Sequence, residues 1–334
     1  MASVKELGER KIIELIQGCL DPMPDMPVPF GDDVSTVDIG NNQLLVVNTD
    51  MLVAKTDVPP IMTLWQAARK AAVMNISDLA AKGTQPTALL ASIGIPPQLT
   101  EADILDIAKG LNAGAREYGA YILGGDTNEA PDLTISCVAL GTCQKRHLIK
   151  RSGAKPGDIV AVTGLFGKTF AGLKILINGL PTKNNEALIE SVLMPKAHVK
   201  EGTALAQTQT ATSSIDVSDG LAWSLHELSK ASSIGFIIDH VPVAPEAEQF
   251  AETHGLDPTE LALYGGEEYE LLVTIKPKLW NKASNAVATV GGQLIKIGTA
   301  TKENKLTLKK GNKTLPIEPR GWEHFKTQIK QTGK

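Results

Sequence analysis

The sequence predicts an α+β fold made of two α/β-layered domains. Helical and strand patterns mix along the 334 residues without one long βαβ series, which argues against a single doubly wound sheet. A similar rhythm begins again after the turn "RSGAKPGD", so the predicted domains cover residues 1–148 and 149–334. A hydrophobic content of 43% over this length is enough to bury sizeable cores.

The elements of the first half follow from hydrophobic spacing and turn residues. An opening amphipathic helix leads into a Pro-rich loop at residues 21–33. "VSTVDIGNNQLLVVNTD" predicts two strands around the turn "GNN", the second ending at Asp50. Helices are expected over residues 63–82, with Gly83 as the C-terminal stop, and over residues 100–119. Strands at "YILGG" and "LTISCVALG" complete this half.

The second half opens with the apolar strand "IVAVTG". Helices are expected over residues 168–178, 186–193 and 199–207, and a further helix follows "SSIDVSDG". Later strands are "GFIID", "YELLVTI" and "GQLIKIGTA".

Charge and cysteine content exclude several classes of function. A net charge of −4 provides no basic field for nucleic acid or an anionic membrane surface, so a small anionic substrate needs a metal or a few placed cations. The three cysteines show no CxxC spacing, which argues against a disulfide framework or a zinc site. This cysteine content fits a reducing, cytoplasmic setting. The N-terminus lacks the apolar core of a signal peptide and no segment is long enough to span a membrane, so a soluble protein is expected.

The turn "VTGLFGKT", residues 162–169, resembles a phosphate-binding Walker A loop. That loop needs a glycine where this chain has Val162, so the spacing fails. An ordinary strand-to-helix turn with an exposed Lys168 is the better interpretation, and the helix N-terminus keeps at most a weak affinity for anions.

Aspartates form the stronger signal, because they lie beside element ends or inside apolar segments: Asp32, Asp33, Asp50, Asp78, Asp126, Asp216 and Asp219. Turn chemistry or helix capping could explain any one of them. Asp78 is harder to explain, because it interrupts the apolar helical segment "AAVMNISDLAAKG". Likewise, "SIDVSDGLAWSL" holds two acids where one helix cap would suffice.

Carboxylates drawn together at neutral pH predict a divalent metal site. Oxygen ligands without His or Cys favour Mg²⁺ over zinc, and Mg²⁺ is typically shared with substrate phosphates. The predicted chemistry is therefore phosphoryl transfer, in which a dedicated general base can be unnecessary.

An ordered set of motifs resembles the thiamine-monophosphate kinase family of the aminoimidazole ribonucleotide synthetase superfamily: "FGDD", "NTDMLV", "NISDLAAKG", "LGGDTN", "RSGAKPGD", "VTG", "IDVSDGLAWSL" and "GGEEYELL". The resemblance runs from about residue 28 to "GWEHF", so it covers nearly the full chain. It implies direct, Mg²⁺-dependent transfer of the ATP γ-phosphoryl group to thiamine monophosphate, with several Mg²⁺ ions. It also implies a homodimer joined through the N-terminal domains, with each ATP site close to that interface.

The resemblance also implies site residues, position by position. The implied metal ligands are Asp33, Thr49, Asp50, Asp78, Asp126, Asp216 and Asp219. The implied ATP contacts are Tyr118, Gly125, Asp126, Arg151 and Ser218. The implied substrate contacts are Asp57, Glu267 and Trp322.

Three positions depart from the family pattern. Asp57 stands where the family commonly has His, Asn48 stands where it often has Ser, and Glu268 replaces the Asp of the usual Glu-Asp-Tyr motif. The alternatives are a superfamily enzyme with another acceptor, such as aminoimidazole ribonucleotide or selenide, an Mg²⁺-dependent phosphohydrolase, and a nucleotide sensor without activity. A selenide-dependent enzyme would be expected to carry a reactive Cys in a Gly-rich loop, whereas Cys19 lies in the opening helix.

Overall fold

The computed structural model describes residues 2–325. In the first half of this range, the strands are β1 Ser35–Gly40, β2 Gln43–Val53, β3 Pro86–Ile95, β4 Tyr121–Glu129 and β5 Thr134–Gln144. The helices are α1 Val4–Leu7, α2 Glu9–Gln17, α3 Ala54–Asp57, α4 Leu64–Ala81 and α5 Glu101–Glu117.

The second half contains the remaining elements. Its strands are β6 Ile159–Val162, β7 Ala211–Asp216, β8 Gly235–Ile238, β9 Leu271–Ile275, β10 Ile295–Thr301, β11 Leu306–Lys310 and β12 Lys313–Pro316. Its helices are α6 Lys168–Asn178, α7 Glu186–Leu193, α8 Val199–Thr208, α9 Leu221–Ser232, α10 Pro245–His254, α11 Pro258–Tyr264 and α12 Trp280–Thr289.

Two sheets, one in each half, confirm the predicted α+β class with two α/β-layered units. The first sheet has the order β1-β2-β5-β3-β4 and the second the order β12-β11-β8-β10-β6-β9-β7. Pairing is antiparallel except for β3 with β4 and β8 with β11. The unit β3-α5-β4 is a parallel crossover, which a short hairpin turn could not provide.

Helix α4 packs against the inner face of the first sheet and forms its core with apolar side chains such as Leu44, Val46 and Ile135. Helix α5 lies on α4 at very short range. A Cβ atom on Gly110 would lie 2.1 Å from the Trp65 carbonyl oxygen, so the absence of a side chain permits this approach. Ala197 and Val199, from the second half, belong to the same core, and the boundary at residue 148 stays a prediction.

Two details of the first sheet differ from the sequence-based expectations. Strand β2 does not end at Asp50, because residues 51–53 continue to pair with β5. Strand β3 was not predicted, and it lies in the sheet between β4 and β5. No helix within residues 2–325 combines the length and the apolar character that crossing a membrane requires.

Candidate active site between the two sheets

The acid cluster consists of the Asp33, Asp78 and Asp216 carboxylates, whose oxygens lie within 4.8 Å of one another. Asp33 comes from the loop before β1, Asp78 from α4, and Asp216 from the last position of β7. Because β7 belongs to the second sheet, the cluster exists only when both halves pack together. Asp216 is further fixed by the Ser77 hydroxyl, which donates to its Oδ2 at 2.6 Å.

Two cations hold Asp33 in place. The Lys82 Nζ lies 2.5 Å from Asp33 Oδ2 and 2.6 Å from Asp32 Oδ1, and it donates to the Ser214 carbonyl at 2.8 Å. Arg151 Nε donates to Asp33 Oδ1 at 2.7 Å, and its Nη2 pairs with the same carboxylate. Asp33 is thus partly neutralised by protein cations, whereas no Lys or Arg within residues 2–325 forms an ion pair with Asp78 or Asp216.

A buried amide network joins Asp78 to β2. Asn48 Nδ2 donates to Asp78 Oδ2 at 2.7 Å, and the Asp50 amide donates to Asn75 Oδ1 at 2.8 Å. The polar spot expected in the apolar helix α4 is therefore the place where this helix meets β2. Asn48 Oδ1 is buried and accepts no hydrogen bond from the described residues.

The acids near the cluster have raised pKa values. Burial, followed by repulsion from Asp216, raises the pKa of Asp50 to about 7 and that of Asp78 well above its usual range. Burial, followed by repulsion from Asp33, raises the pKa of Asp216 to about 7. Burial and the nearby Glu9 raise the pKa of Asp219 to about 6. The free chain therefore holds these carboxylates against an electrostatic cost that a cation would relieve.

These donors fit a hard divalent cation. They are carboxylate oxygens on separate elements, supplemented by an unpaired and buried amide oxygen, and they include no His or Cys ligand. Asp33, Asp78 and Asp216 would hold such an ion, with Asp50 beside them.

A cavity of about 160 Å³ adjoins this region on the side of Asp216, Ser218 and Asp219. Helix α2 closes part of it through Arg10, whose guanidinium lies 3.6 Å from the centroid of the Trp223 ring. Arg10 Nη2 also lies 3.5 Å from Asp219 Oδ2. The cavity is therefore lined by anionic and cationic groups from the N-terminal helix α2 and from the second half of the chain.

Two of the three predicted substrate residues, Glu267 and Trp322, lie on segments that meet at Ser218 and Asp219. The Glu267 amide donates to the Ser218 carbonyl at 2.6 Å, and the Trp322 amide donates to the Asp219 carbonyl at 3.0 Å. Asp57 behaves differently, because its carboxylate accepts from the Val53 amide at 2.7 Å and so turns back on its own short helix.

A second group of predicted residues lies away from the acid cluster in this chain. Asp126 is in the edge strand β4, three strand positions from β2, or about 14 Å at ordinary strand spacing. Gly125 precedes it in the same strand. The Tyr118 hydroxyl accepts from the Ala197 amide at 2.9 Å, and burial raises the pKa of this phenol to about 12. Thr49 also faces away from Asp50, and its hydroxyl donates to the Cys137 carbonyl at 2.9 Å.

Sequence reasoning missed three cations of this region: Arg10, Lys70 and Lys82. Lys70 and Lys82 are 1% exposed, although charged residues in a helix ordinarily lie on its solvated face. The available signal in the sequence was the position of Lys70 and Lys82, each of which lies next to alanines in the predicted helix over residues 63–82.

The Gly-rich turn before α6 already contains an anion. Glu268 Oε1 accepts from the Gly167 amide at 2.6 Å and from the Thr169 amide at 3.3 Å. The Glu268 carboxylate occupies the helix N-terminus that a phosphate would use. This agrees with the sequence-based prediction that the turn at residues 162–169 is not a Walker A loop. Burial raises the pKa of Glu268 to about 7 despite these hydrogen bonds.

Comparisons with known proteins identify both halves. Residues 31–143 match the family model for the N-terminal domain of AIR synthase related proteins, and residues 155–311 match the model for the C-terminal domain. The thiamine-monophosphate kinase of Pyrococcus horikoshii is 38% identical over 89% of this chain and 91% of its own length. The thiamine-monophosphate kinase of Nitrosopumilus maritimus is 33% identical over 97% of this chain and 100% of its own length.

Solved structures agree with the sequence matches. The structure of AaThiL complexed with AMPPCP and TMP superimposes with a TM-score of 0.85, at 28% identity, over 97% of this chain and 99% of the other. The thiamine monophosphate kinase of Aquifex aeolicus gives a TM-score of 0.76 at 26% identity, over 89% of this chain and 96% of the other. The chain is therefore an enzyme of the thiamine-monophosphate kinase family, built from the two domains of AIR synthase related proteins.

Proposed function

We propose that this protein transfers the γ-phosphoryl group of ATP to thiamine monophosphate, giving thiamine diphosphate and ADP. The observation that carries the proposal is the convergence of Asp33, Asp78 and Asp216 from both halves of the chain. The names of the relatives support the acceptor, and the AMPPCP and TMP bound to AaThiL support the pair of substrates.

Mg²⁺ bound by the acid cluster would neutralise charge on phosphate oxygens during the transfer. The protein's own groups bind and orient the substrates. Arg151 places a planar guanidinium beside the cluster, and two-point contact with a phosphate would require this group to exchange part of its bonding to Asp33. Ser218 lies on the wall of the neighbouring cavity, next to the buried Asp216. We assign no general base, because positioning for direct in-line transfer is sufficient.

The acceptor is proposed to bind on the side of Glu267 and Trp322. A thiazolium cation beside a carboxylate and an indole face is favourable by charge attraction and by cation–π interaction. Asp57 contributes to this side as a predicted contact, although its carboxylate is bonded to the Val53 amide in the free chain.

We further propose a homodimer formed through the outer face of the first sheet. We define the outer face as the side opposite α4, where Val37, Met51 and Leu90 are between 41% and 55% exposed. Such a row of exposed apolar side chains is typical of an interaction surface. Thr49 and Asp126 also point to this face, so a dimer would bury two predicted metal ligands that lie away from the acid cluster.

A cytoplasmic location is inferred from thiol chemistry. All three cysteines are free, and Cys137 and Cys143 are buried. Free buried thiols are typical of a reducing compartment.

The activity is tested by incubating purified protein with Mg²⁺, ATP and thiamine monophosphate and by quantifying thiamine diphosphate and ADP. We expect one diphosphate per ADP, and loss of both products when a chelator removes the metal. ADP with inorganic phosphate and no diphosphate would identify a phosphohydrolase. ATP binding without turnover would identify a sensor, and ADP formed only with another acceptor would identify a different superfamily enzyme.

A further inference from the structure

Lys70 is a buried cation that joins the two halves of the protein beside the predicted acceptor residues. It lies in the middle of α4, and its side chain is 1% exposed. Its Nζ donates to the Asp57 carbonyl at 2.9 Å and forms an ion pair with the Glu267 carboxylate. It therefore contacts two of the three residues to which substrate binding is attributed, although no sequence motif pointed to it.

Glu267 has a backbone conformation that its surroundings must maintain. Its φ angle is +62°, in the left-handed region that non-glycine residues adopt rarely, and Tyr269 follows with a φ angle of +55°. Backbone bonds attach this segment to the loop after β7, since the Tyr269 amide donates to the Val217 carbonyl at 2.9 Å. A close approach is also required at Gly266, where a Cβ atom would lie 2.7 Å from the Ser218 carbonyl oxygen.

Lys70 and Glu267 differ in solvent exposure, and a ligand can contact only the exposed one. The Glu267 side chain is 26% exposed, whereas Lys70 is sealed from solvent. One carboxylate oxygen, Oε1, pairs with Lys70, while the partly exposed side chain remains accessible to a ligand. Lys70 thus fixes the direction of a carboxylate without reaching the ligand itself.

We propose that Lys70 is the positioning residue for the acceptor, acting through Glu267. The inference rests on the proposed function, because it assigns Glu267 to the cationic part of thiamine monophosphate. The ion pair spans the two halves, so it also fixes the acceptor side relative to Asp78, which lies on the same helix α4. Without Lys70, the carboxylate would keep its charge but lose its fixed orientation.

The test is a double-mutant cycle with Lys70→Met, Glu267→Gln and the double variant. For Lys70→Met we expect the KM for thiamine monophosphate to rise about tenfold, with the KM for ATP and the kcat changed by less than about threefold. In the Glu267→Gln background, Lys70→Met should add less than about a twofold change, because the group through which it acts is already altered.

Arg69→Met is the matched control. Arg69 is the preceding residue of α4, is 2% exposed, pairs with Glu117 and donates to the Pro195 carbonyl at 2.9 Å, but these bonds do not involve Glu267. Urea unfolding of both variants measures their structural cost. A purely structural role for Lys70 would lower stability in both variants and leave the KM for thiamine monophosphate alike in both. Equilibrium binding of thiamine monophosphate, measured by calorimetry, provides a second readout that does not need turnover.

The outcomes separate this inference from the proposed function. If Lys70→Met lowers acceptor affinity equally with and without Glu267, or leaves it unchanged, the positioning role is overturned while the kinase activity stands. If the unaltered protein makes no thiamine diphosphate and does not bind thiamine monophosphate, the proposed function itself fails.

Discussion

Lys82 Nζ lies 2.5 Å from Asp33 Oδ2 although the lysine side chain is only 1% exposed. A buried charge of this kind is tolerable only with its partners in place, because removing one partner leaves the other uncompensated. Lys82 also contacts Asp32 and the Ser214 carbonyl, so it links α4, the loop before β1 and strand β7. The acid cluster therefore depends on a cation that the protein itself supplies.

Replacing this cation should destabilise the fold. We expect Lys82→Met to lower the free energy of unfolding by about 3 kcal/mol or more, because Asp32 and Asp33 stay buried without their ammonium partner. Urea denaturation followed by circular dichroism measures the change. Lys145→Met is the control, since its pair with Asp38 is 44% exposed on both sides and should contribute less than about 1 kcal/mol. Equal effects of the two substitutions would refute the role given to Lys82.

Asp78→Asn tests the metal assignment. This substitution keeps the size of the side chain but removes the charge, so we expect phosphoryl transfer to fall by at least about 100-fold. The fold should survive, because burial already raises the pKa of Asp78 well above its usual range and disfavours the carboxylate. Asp106→Asn, on the exposed side of α5, is the matched control. Full activity of the Asp78 variant in a diphosphate assay would exclude it as a metal ligand.

His198 predicts a pH dependence of stability. Its Nε2 lies 3.0 Å from Glu270 Oε2 and its Nδ1 lies 3.4 Å from Glu201 Oε1. Burial lowers the pKa of His198, but the two carboxylates outweigh it and raise the pKa to about 10. The folded state therefore holds the proton more tightly than the unfolded chain does. The stabilisation is complete below pH 6.5 and is lost as the pH rises through about 10.

The comparison of the wild type with His198→Gln isolates this contribution, because glutamine keeps a donor but does not titrate. We expect the variant to be less stable by about 2 to 4 kcal/mol at pH 6, with the difference shrinking steadily toward pH 10. Urea unfolding at several pH values measures the difference. A difference that is constant across this range would show that folding does not raise the pKa of His198.

Leu90→Glu tests the proposed dimer. Leu90 lies on the outer face of the first sheet and is 41% exposed, so a carboxylate there would have to be desolvated in an interface. We expect the unaltered protein to sediment as a dimer and the variant to sediment as a monomer at the same concentration. Ile177→Glu, on α6 and 67% exposed in the single chain, should leave the assembly unchanged. A wild type that sediments as a monomer would remove the basis for the proposal.

Local patterns predicted much of the fold because they depend on neighbouring residues. The expected helix over residues 63–82 is found as Leu64–Ala81, with Thr63 as its N-cap and Gly83 in the left-handed conformation after it. Asp78 stood out because one acid interrupted an apolar helix. These signals need no knowledge of what lies across the sheet.

The features that were missed depend on distant partners. Strand β3 is an apolar run that begins shortly after Gly83, and its length alone does not distinguish it from a buried helical segment. Lys70 and Lys82 look like solvated residues until Glu267 and Asp33 are placed beside them by folding. The separation of Asp126 from the acid cluster follows from strand order, which the order of motifs along the chain does not contain.

Helix α4 gives the site a fixed length scale. Lys70 and Asp78 are eight residues apart on it, so the proposed acceptor side and the proposed metal site are anchored about 12 Å apart along the helix axis. A substrate that contacts both Glu267, which Lys70 positions, and the acid cluster around Asp78 must therefore span a matching distance. An insertion of one residue between Lys70 and Asp78 would move them about 1.5 Å further apart and would also rotate one of them by about 100° around the helix axis relative to the other. The spacing of these two residues is therefore a constraint on the site as strict as their identity.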